Sequence, residues 1–118
     1  MAGTPLLQAD QLIGASGQPA FQNGASNGTW GQGAGFWKDY GGVVHLTGSI
    51  ATTTGTTIMF TLPAGYRPIP AGGNTQYLGT LAAGGSFTYI SVDNLGNVWC
   101  ASALKNIQLE GISFKARA

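Results

Sequence analysis

Short runs of alternating apolar and polar residues, separated by glycine-rich turns, are the feature that most constrains this chain. Residues 43–50 place Val44, Leu46 and Ile50 on one side of an extended strand, and residues 56–62 repeat the alternation. Glycine fills 20 of the 118 positions, and several of these glycines lie between such runs. About seven or eight short strands with turns between them are typical of an antiparallel sandwich. We therefore expect an all-β domain, an antiparallel β-sandwich of the jelly-roll kind.

Turn-forming residues predict two local features of this domain, a hairpin and a β-bulge. Residues 93–97, Asp-Asn-Leu-Gly-Asn, are a strong hairpin signal. Within residues 107–116 the apolar positions change from odd to even, and a bulge near Glu110 and Gly111 would bring them to one face. The four apolar residues concerned are Ile107, Leu109, Ile112 and Phe114.

Composition excludes several classes of function. A net charge of +1, from five basic and four acidic residues, does not provide the clustered cations that grip nucleic acid or anionic lipid. Cys100 is the only cysteine and His45 the only histidine, so neither an intrachain disulfide nor a Cys/His metal cluster is expected. The N-terminus lacks the pattern of a signal peptide, and the apolar runs are too short to insert into a membrane. We expect synthesis in the cytoplasm of a host cell.

The first 20 residues differ from the rest because they combine few charges with a group of aliphatic side chains. Residues 5–13 fit either a short amphipathic helical turn or an extended arm. The aliphatic side chains are Leu6, Leu7, Leu12 and Ile13. We expect residues 1–20 to be an attachment or trimer-stapling arm, with residues 21–118 as the head domain; the alternative is that the arm packs back on its own domain.

A second apolar face predicts self-association. Three apolar side chains are expected to point away from the face that carries Val44, Phe60 and Ile90. They are Val43, Met59 and Tyr89. Because the chain has few charges with which to solvate such a face, we expect a homo-oligomer.

Five segments of the sequence, taken in order, resemble a recurrent module of phage proteins. They are FQNG at 21–24, KD at 38–39, GVVHLTG at 42–48, IMFTLPAGYRP at 58–68 and LEGISF at 109–114. The module is the C-terminal domain of phage tail fibres, tail-tip proteins and minor structural proteins, and the resemblance covers roughly residues 20–116. Its specific part is LPAGYRP.

The resemblance implies a trimeric β-sandwich head on the virion, at the tail or particle surface, that contacts the host surface. The function expected from it is the binding of a host receptor, either glycan or protein. The alternative is an architectural capsid or tail decoration protein that contacts only other virion proteins. In both cases the arm would hold the trimer to its virion partners.

The LPAGYRP segment is expected to form a structural corner rather than a binding site. Proline stops the strand and holds the chain extended, while glycine allows positive φ. The corner residues are Pro63, Gly65, Tyr66, Arg67 and Pro68. A direct receptor contact by Tyr66 and Arg67 is the alternative.

Two aromatic residues are candidates for stacking on a sugar ring. Trp30 is flanked by amide and hydroxyl side chains, and Tyr40 stands beside two glycines. For Trp30 the alternative is a ring that closes one end of the sandwich. The four acidic residues lie far apart in the sequence and give no carboxyl pair of the kind used by glycosidases. We therefore expect no catalytic residues, no metal and no cofactor.

Overall fold

Only β-strands occur as regular elements in the part of the chain that the structure describes. This computed structural model describes residues 11–29, 33–68, 75–81, 87–104 and 106–116, with the backbone alone for 75–81. The eleven strands in these ranges are β1 (Gln11–Leu12), β2 (Ser26–Asn27), β3 (Gly35–Lys38), β4 (Val43–Thr47), β5 (Ser49–Ala51), β6 (Ile58–Thr61), β7 (Thr75–Leu81), β8 (Phe87–Asp93), β9 (Asn97–Cys100), β10 (Ile107–Gln108) and β11 (Ser113–Lys115).

The strands form three sheets, and every pairing between them is antiparallel. Sheet A has the order β1-β3-β4-β11, sheet B the order β10-β5-β2, and sheet C the order β6-β9-β8-β7. The prediction of an all-β domain with antiparallel sheets is thus confirmed.

Sheets A and B are joined by one bulged ribbon, in which β4 and β5 run against β11 and β10. Two residue pairs show the bulge: His45 lies opposite Ser113, and Ser49 lies opposite Gln108. Between these pairs, the β4–β5 side of the ribbon advances four residues and the β11–β10 side advances five. The extra residue lies next to Gly111, whose φ of +88° is open to glycine and strained for other residues. The bulge predicted near Glu110 and Gly111 is confirmed.

The bulge is closed by hydrogen bonds on both sides of Gly48. The amide of Leu109 donates to the Gly48 carbonyl at 2.9 Å, and the Gly48 amide donates to Glu110 Oε1 at 3.0 Å. Gly48 itself has a φ of +76°, which ends β4 and turns the chain into sheet B. The regular strand expected over residues 43–50 is therefore divided at Gly48, because a glycine at positive φ interrupts the alternation.

A single cluster of buried side chains draws on all three sheets. Its largest fully buried members are Phe36, Val44, Leu46, Ile50, Met59, Phe60, Leu62, Ile90, Val92, Val98, Ile107 and Leu109. The register of β6 against β9 shifts between Ile58 and Phe60, and Met59 lies in this irregularity with no exposed surface. The prediction that Met59 points away from the core is wrong, because that alternation assumed a regular strand.

The end of the predicted arm is part of sheet A. Gln11 and Leu12 are extended and pair with Phe36 and Gly35, and Ile13 is buried in the core. The side chain of Leu12 remains 44% exposed. Leu6 and Leu7 lie outside the described residues, so the arm's role in attachment stays a prediction.

The β8–β9 hairpin packs against the corner that follows β6. The amide of Leu62 donates to the carbonyl of Gly96 at 2.8 Å, and Gly96 has a φ of +87°. A methyl group at Gly96 would stand 2.6 Å from the Leu62 carbonyl oxygen, a distance that real Cβ atoms do not adopt. Gly65 has a similar φ of +92°, but a methyl group there would meet open space.

This contrast predicts different costs for two alanine substitutions. Gly65→Ala pays only for positive φ and should lower the free energy of unfolding by about 1 kcal/mol. Gly96→Ala adds a clash with backbone and should lower it by about 3 kcal/mol. Denaturant unfolding of both variants measures the difference. Equal losses would contradict the close approach of the hairpin to the corner.

Candidate functional site

An open groove lies on the outer face of sheet C, with a volume of about 280 Å³. We call it the aromatic groove; it is lined by Thr56, Tyr89, Ser91, Asp93, Trp99, Cys100 and Ala101. β8 and β9 supply most of this lining, and the hairpin between them holds the two strands in register. Residues 93–97 form that hairpin, so the hairpin prediction is confirmed.

The alternation of β8 builds the groove. Ile90 and Val92 are fully buried in the core, so the intervening residues face outward. Tyr89 is 49% exposed, in agreement with the outward orientation expected from the sequence. Ser91 pairs with Trp99 across the strands. A small hydroxyl side chain therefore lies between two large rings, which leaves a depression with apolar walls and a polar floor.

Asp93 fixes the orientation of the Trp99 ring. Its Oδ2 accepts hydrogen bonds from the Trp99 indole N–H and the Asn97 side-chain amide, both at 3.1 Å. Its Oδ1 accepts from the backbone amides of Leu95 and Asn97, both at 3.0 Å. The carboxylate thus closes the hairpin and aligns an indole at the same time.

These hydrogen bonds also determine the charge at this end of the aromatic groove. Burial raises the pKa of Asp93, but the bonds donated by Trp99, Asn97 and Leu95 outweigh burial and hold the pKa below its usual value. Asp93 is therefore a carboxylate at neutral pH. Of the lining residues within the described ranges, it is the one that carries a charge.

Thr56 stands at the wall of the aromatic groove with an uncommon backbone. Its φ is +53°, a region that β-branched residues rarely adopt. Backbone strain of this kind costs on the order of 1–3 kcal/mol and occurs preferentially at functional sites. The neighbouring Cys100 is buried, and its thiol lies 3.2 Å from the carbonyl oxygen of Thr54.

A second cluster of polar and aromatic side chains lies on the β3–β4 hairpin. The rings of Trp37 and His45 stack at 4.3 Å, and His45 Nε2 lies 2.9 Å from Asp39 Oδ2. The pKa of Asp39 is lowered by the His45 hydrogen bond and by the Val43 amide, against a smaller effect of burial, with the Gly41 amide also lowering it. Stacking covers one face of each ring in this cluster.

Of the two residues proposed from the sequence for sugar binding, Tyr40 does not line the groove. Tyr40 is 72% exposed at the tip of the β3–β4 turn, and Trp30 lies outside the described residues. The sequence analysis did not predict that Trp99 and Tyr89 line the same groove. The available signal was the hairpin at residues 93–97, which brings β8 and β9 side by side and could have aligned the two rings.

The LPAGYRP segment packs against its own domain. The Tyr66 amide donates to the Pro63 carbonyl at 3.1 Å, and Arg67 Nε donates to the Leu62 carbonyl at 3.1 Å. The Tyr66 hydroxyl accepts a bond of 2.8 Å from Gln11 Nε2.

Two further contacts hold this corner against sheet A and the C-terminal strand. Lys38 Nζ donates to the Gly65 carbonyl at 2.7 Å and lies 5.2 Å from the centre of the Tyr66 ring. Pro68 forms a β-bridge with Ala116.

Within the described ranges, no group of three or more His, Cys, Asp and Glu residues is arranged to hold a metal ion. The same part of the chain contains no helix long and apolar enough to cross a bilayer.

Comparisons with known proteins give no match: no family model, no curated protein and no solved structure is significantly similar to this chain. The likeness to phage tail modules therefore rests on the motif residues themselves.

The hydrogen bonds of Asp93 predict a pH-dependent stability. Because the pKa is lower in the folded than in the unfolded protein, the stabilisation is complete above about pH 4 and is lost as the pH falls through the folded value. Asp93→Asn should lower the free energy of unfolding by about 2 kcal/mol at pH 7, because asparagine has one acceptor oxygen where Asp93 uses two. If that oxygen keeps the backbone amides of Leu95 and Asn97, the NH2 group of the asparagine faces the indole N–H and cannot accept from it. Denaturant unfolding from pH 7 to pH 2.5 measures the loss.

Asp39→Asn is the matched control, because Asp39 also has a lowered pKa but does not contact Trp99. The NMR signal of the Trp99 indole N–H should shift in Asp93→Asn and stay in place in Asp39→Asn. An unchanged indole signal in Asp93→Asn would refute the positioning role of Asp93.

Proposed function

We propose that this chain is a non-enzymatic structural protein of a phage virion, a tail- or fibre-associated head domain that binds a host-surface glycan through the aromatic groove. The observation that carries the proposal is the groove itself, in which Tyr89 and Trp99 flank the hydroxyl of Ser91. Aromatic faces stack on the apolar side of a sugar ring, and hydroxyl and carboxylate groups bond its edges. The resemblance to tail modules supplies the biological setting.

The architecture that we propose is a jelly-roll-like sandwich in which sheets A and B cover sheet C. The core cluster supports it, because its side chains come from all three sheets. The proposal also makes the head a homotrimer held to the virion through residues 1–20. Leu12 supports this part, since an aliphatic side chain 44% exposed on the edge strand β1 can be covered by a neighbouring chain.

Host-cell binding by the purified protein tests the receptor role. Tyr89→Ala removes a ring that is 49% exposed, and we expect a loss of at least about tenfold in binding to intact host cells. Leu95→Ala is the matched control, because Leu95 is 60% exposed but lies outside the aromatic groove. Tyr40→Ala tests the candidate that the sequence suggested.

Three outcomes separate the hypotheses. If only Tyr89→Ala reduces binding to host cells, the aromatic groove is supported as the receptor site. If only Tyr40→Ala reduces this binding, the receptor site lies at the β3–β4 turn instead. No cell binding by the unaltered protein, together with stoichiometric recovery on assembled particles, would favour the architectural role. Release of sugar fragments from host polysaccharide would contradict a non-enzymatic function.

Light scattering tests the trimer and the arm together. The full chain should have a mass near three times 12.1 kDa at micromolar concentration. Deletion of residues 1–10 should yield a folded monomer, because the pairing of β1 with β3 and the burial of Ile13 are retained. Deletion of residues 1–17 also removes Ile13 and should lower stability.

A monomeric full chain would contradict the trimer. If the chain remains a trimer after deletion of residues 1–10, the arm is not the element that holds the trimer together. The prediction of a trimer would still stand.

A further inference from the structure

We infer that the aromatic groove is one end of a longer site, and that its ligand is an uncharged oligosaccharide of at least two or three sugar residues laid along β8. This inference rests on the proposed function and specifies the ligand's length and charge. The longer site adds Phe87 to the residues of the aromatic groove. Phe87 lies outside the groove at the start of β8 and is 84% exposed.

A row of aromatic rings on two neighbouring strands, β8 and β9, carries the argument on the length of the ligand. Phe87, Tyr89 and Ser91 follow each other at every second position of β8, so they share its outer face. Trp99 lies at the level of Ser91, its partner across the strands. The outer face therefore presents three rings in succession, from Phe87 through Tyr89 to Trp99.

The spacing of this row fits successive sugar rings. Residues two apart on a strand are separated by about 6.5 Å, so Phe87 and the Ser91–Trp99 pair stand about 13 Å apart. That span exceeds one pyranose ring and accommodates a short linear oligosaccharide. Each ring would contact its own sugar residue, while Ser91 and Asp93 offer hydrogen-bonding atoms at the Trp99 end.

Exposure of Phe87 is the second reason to extend the site. Contact between an apolar phenylalanine ring and water is unfavourable, so an exposed phenylalanine is typical of a binding surface. Phe87 is also in line with a groove that already contains two rings. A ring at 84% exposure keeps nearly all of its surface available for a ligand. Phe87 would then add a separate contact for a sugar beyond those that the aromatic groove holds.

Charge complementarity determines the class of sugar. Among the described residues that line the groove, Asp93 is the one that carries a charge, and its four hydrogen bonds keep it ionised. A carboxylate of a uronic or sialic acid placed near Trp99 would meet a like charge. The site therefore favours neutral hexose and N-acetylhexosamine chains over acidic ones.

An array of neutral oligosaccharides of one to five residues, with matched uronic-acid and sialylated versions, tests length and charge. Affinity for the neutral series should rise by about three- to tenfold for each ring engaged and level off at three or four residues. Acidic versions should bind at least about fivefold more weakly at low salt. Added salt should narrow this gap, because exposed charges are screened.

Alanine variants test which part of the oligosaccharide each ring of the row contacts. Phe87→Ala should reduce binding of trisaccharides and longer chains by a larger factor than it reduces binding of a monosaccharide. Tyr89→Ala should reduce binding at every length. Leu95→Ala serves again as the exposed apolar residue outside the site.

The outcomes distinguish this inference from the proposed function. Host-cell binding that depends on Tyr89, without any length dependence or without any array signal, would overturn the oligosaccharide inference and leave receptor binding in place. Equal binding of acidic sugars would overturn the charge argument. A concentration-dependent increase in mass that Phe87→Ala abolishes would show that a second copy of the chain occupies the row. Failure to bind both cells and array would overturn both proposals.

Discussion

The bulged pairing of β4 and β5 with β11 and β10 is the constraint on which the rest of the fold depends. It lets two strands pass together from sheet A to sheet B without losing the backbone hydrogen bonds that a buried chain must make. Gly48 and Gly111 make this possible, because both adopt positive φ at the point of transfer. Glu110 completes the pairing by accepting from the Gly48 amide. With sheets A and B joined in this way, their buried side chains form one core cluster together with buried side chains of sheet C.

In sheet C, one alternation builds both the core and the aromatic groove. Ile90 and Val92 are buried, and the residues between and beside them form the outer face that carries Tyr89 and Ser91. Asp93 connects the two roles, since it closes the β8–β9 hairpin and orients Trp99 with the same carboxylate. The hairpin is held in turn by the corner after β6, where Gly96 approaches the Leu62 backbone. The geometry of the groove is therefore coupled to the packing of a segment that does not line it.

Local chemistry made part of this structure predictable. The hairpin at residues 93–97 follows from Asp at its first position and Gly at its fourth, and the bulge at Gly111 follows from the phase of four apolar residues. The outward orientation of Tyr89 followed from simple alternation. The groove as a whole was not predicted, because Trp99 and Tyr89 line the same groove only through the register of β8 against β9, which pairs Trp99 with Ser91. Attention to isolated aromatic residues in glycine-rich loops instead favoured Tyr40, which stands at the tip of the β3–β4 turn.

The sequence by itself determined the strand class, the hairpin and the bulge, because alternation, Asp capping and glycine at positive φ act over a few neighbouring residues. Only the tertiary structure decided that the extended run from residue 43 divides at Gly48 between two sheets, and that Met59 turns into the core. The same holds for the partners of the corner, where Gln11 and Lys38 reach Tyr66 and Gly65 from distant positions. These features depend on which strands meet and in what register, and that choice is made by the burial of apolar surface over the whole chain rather than by any short segment.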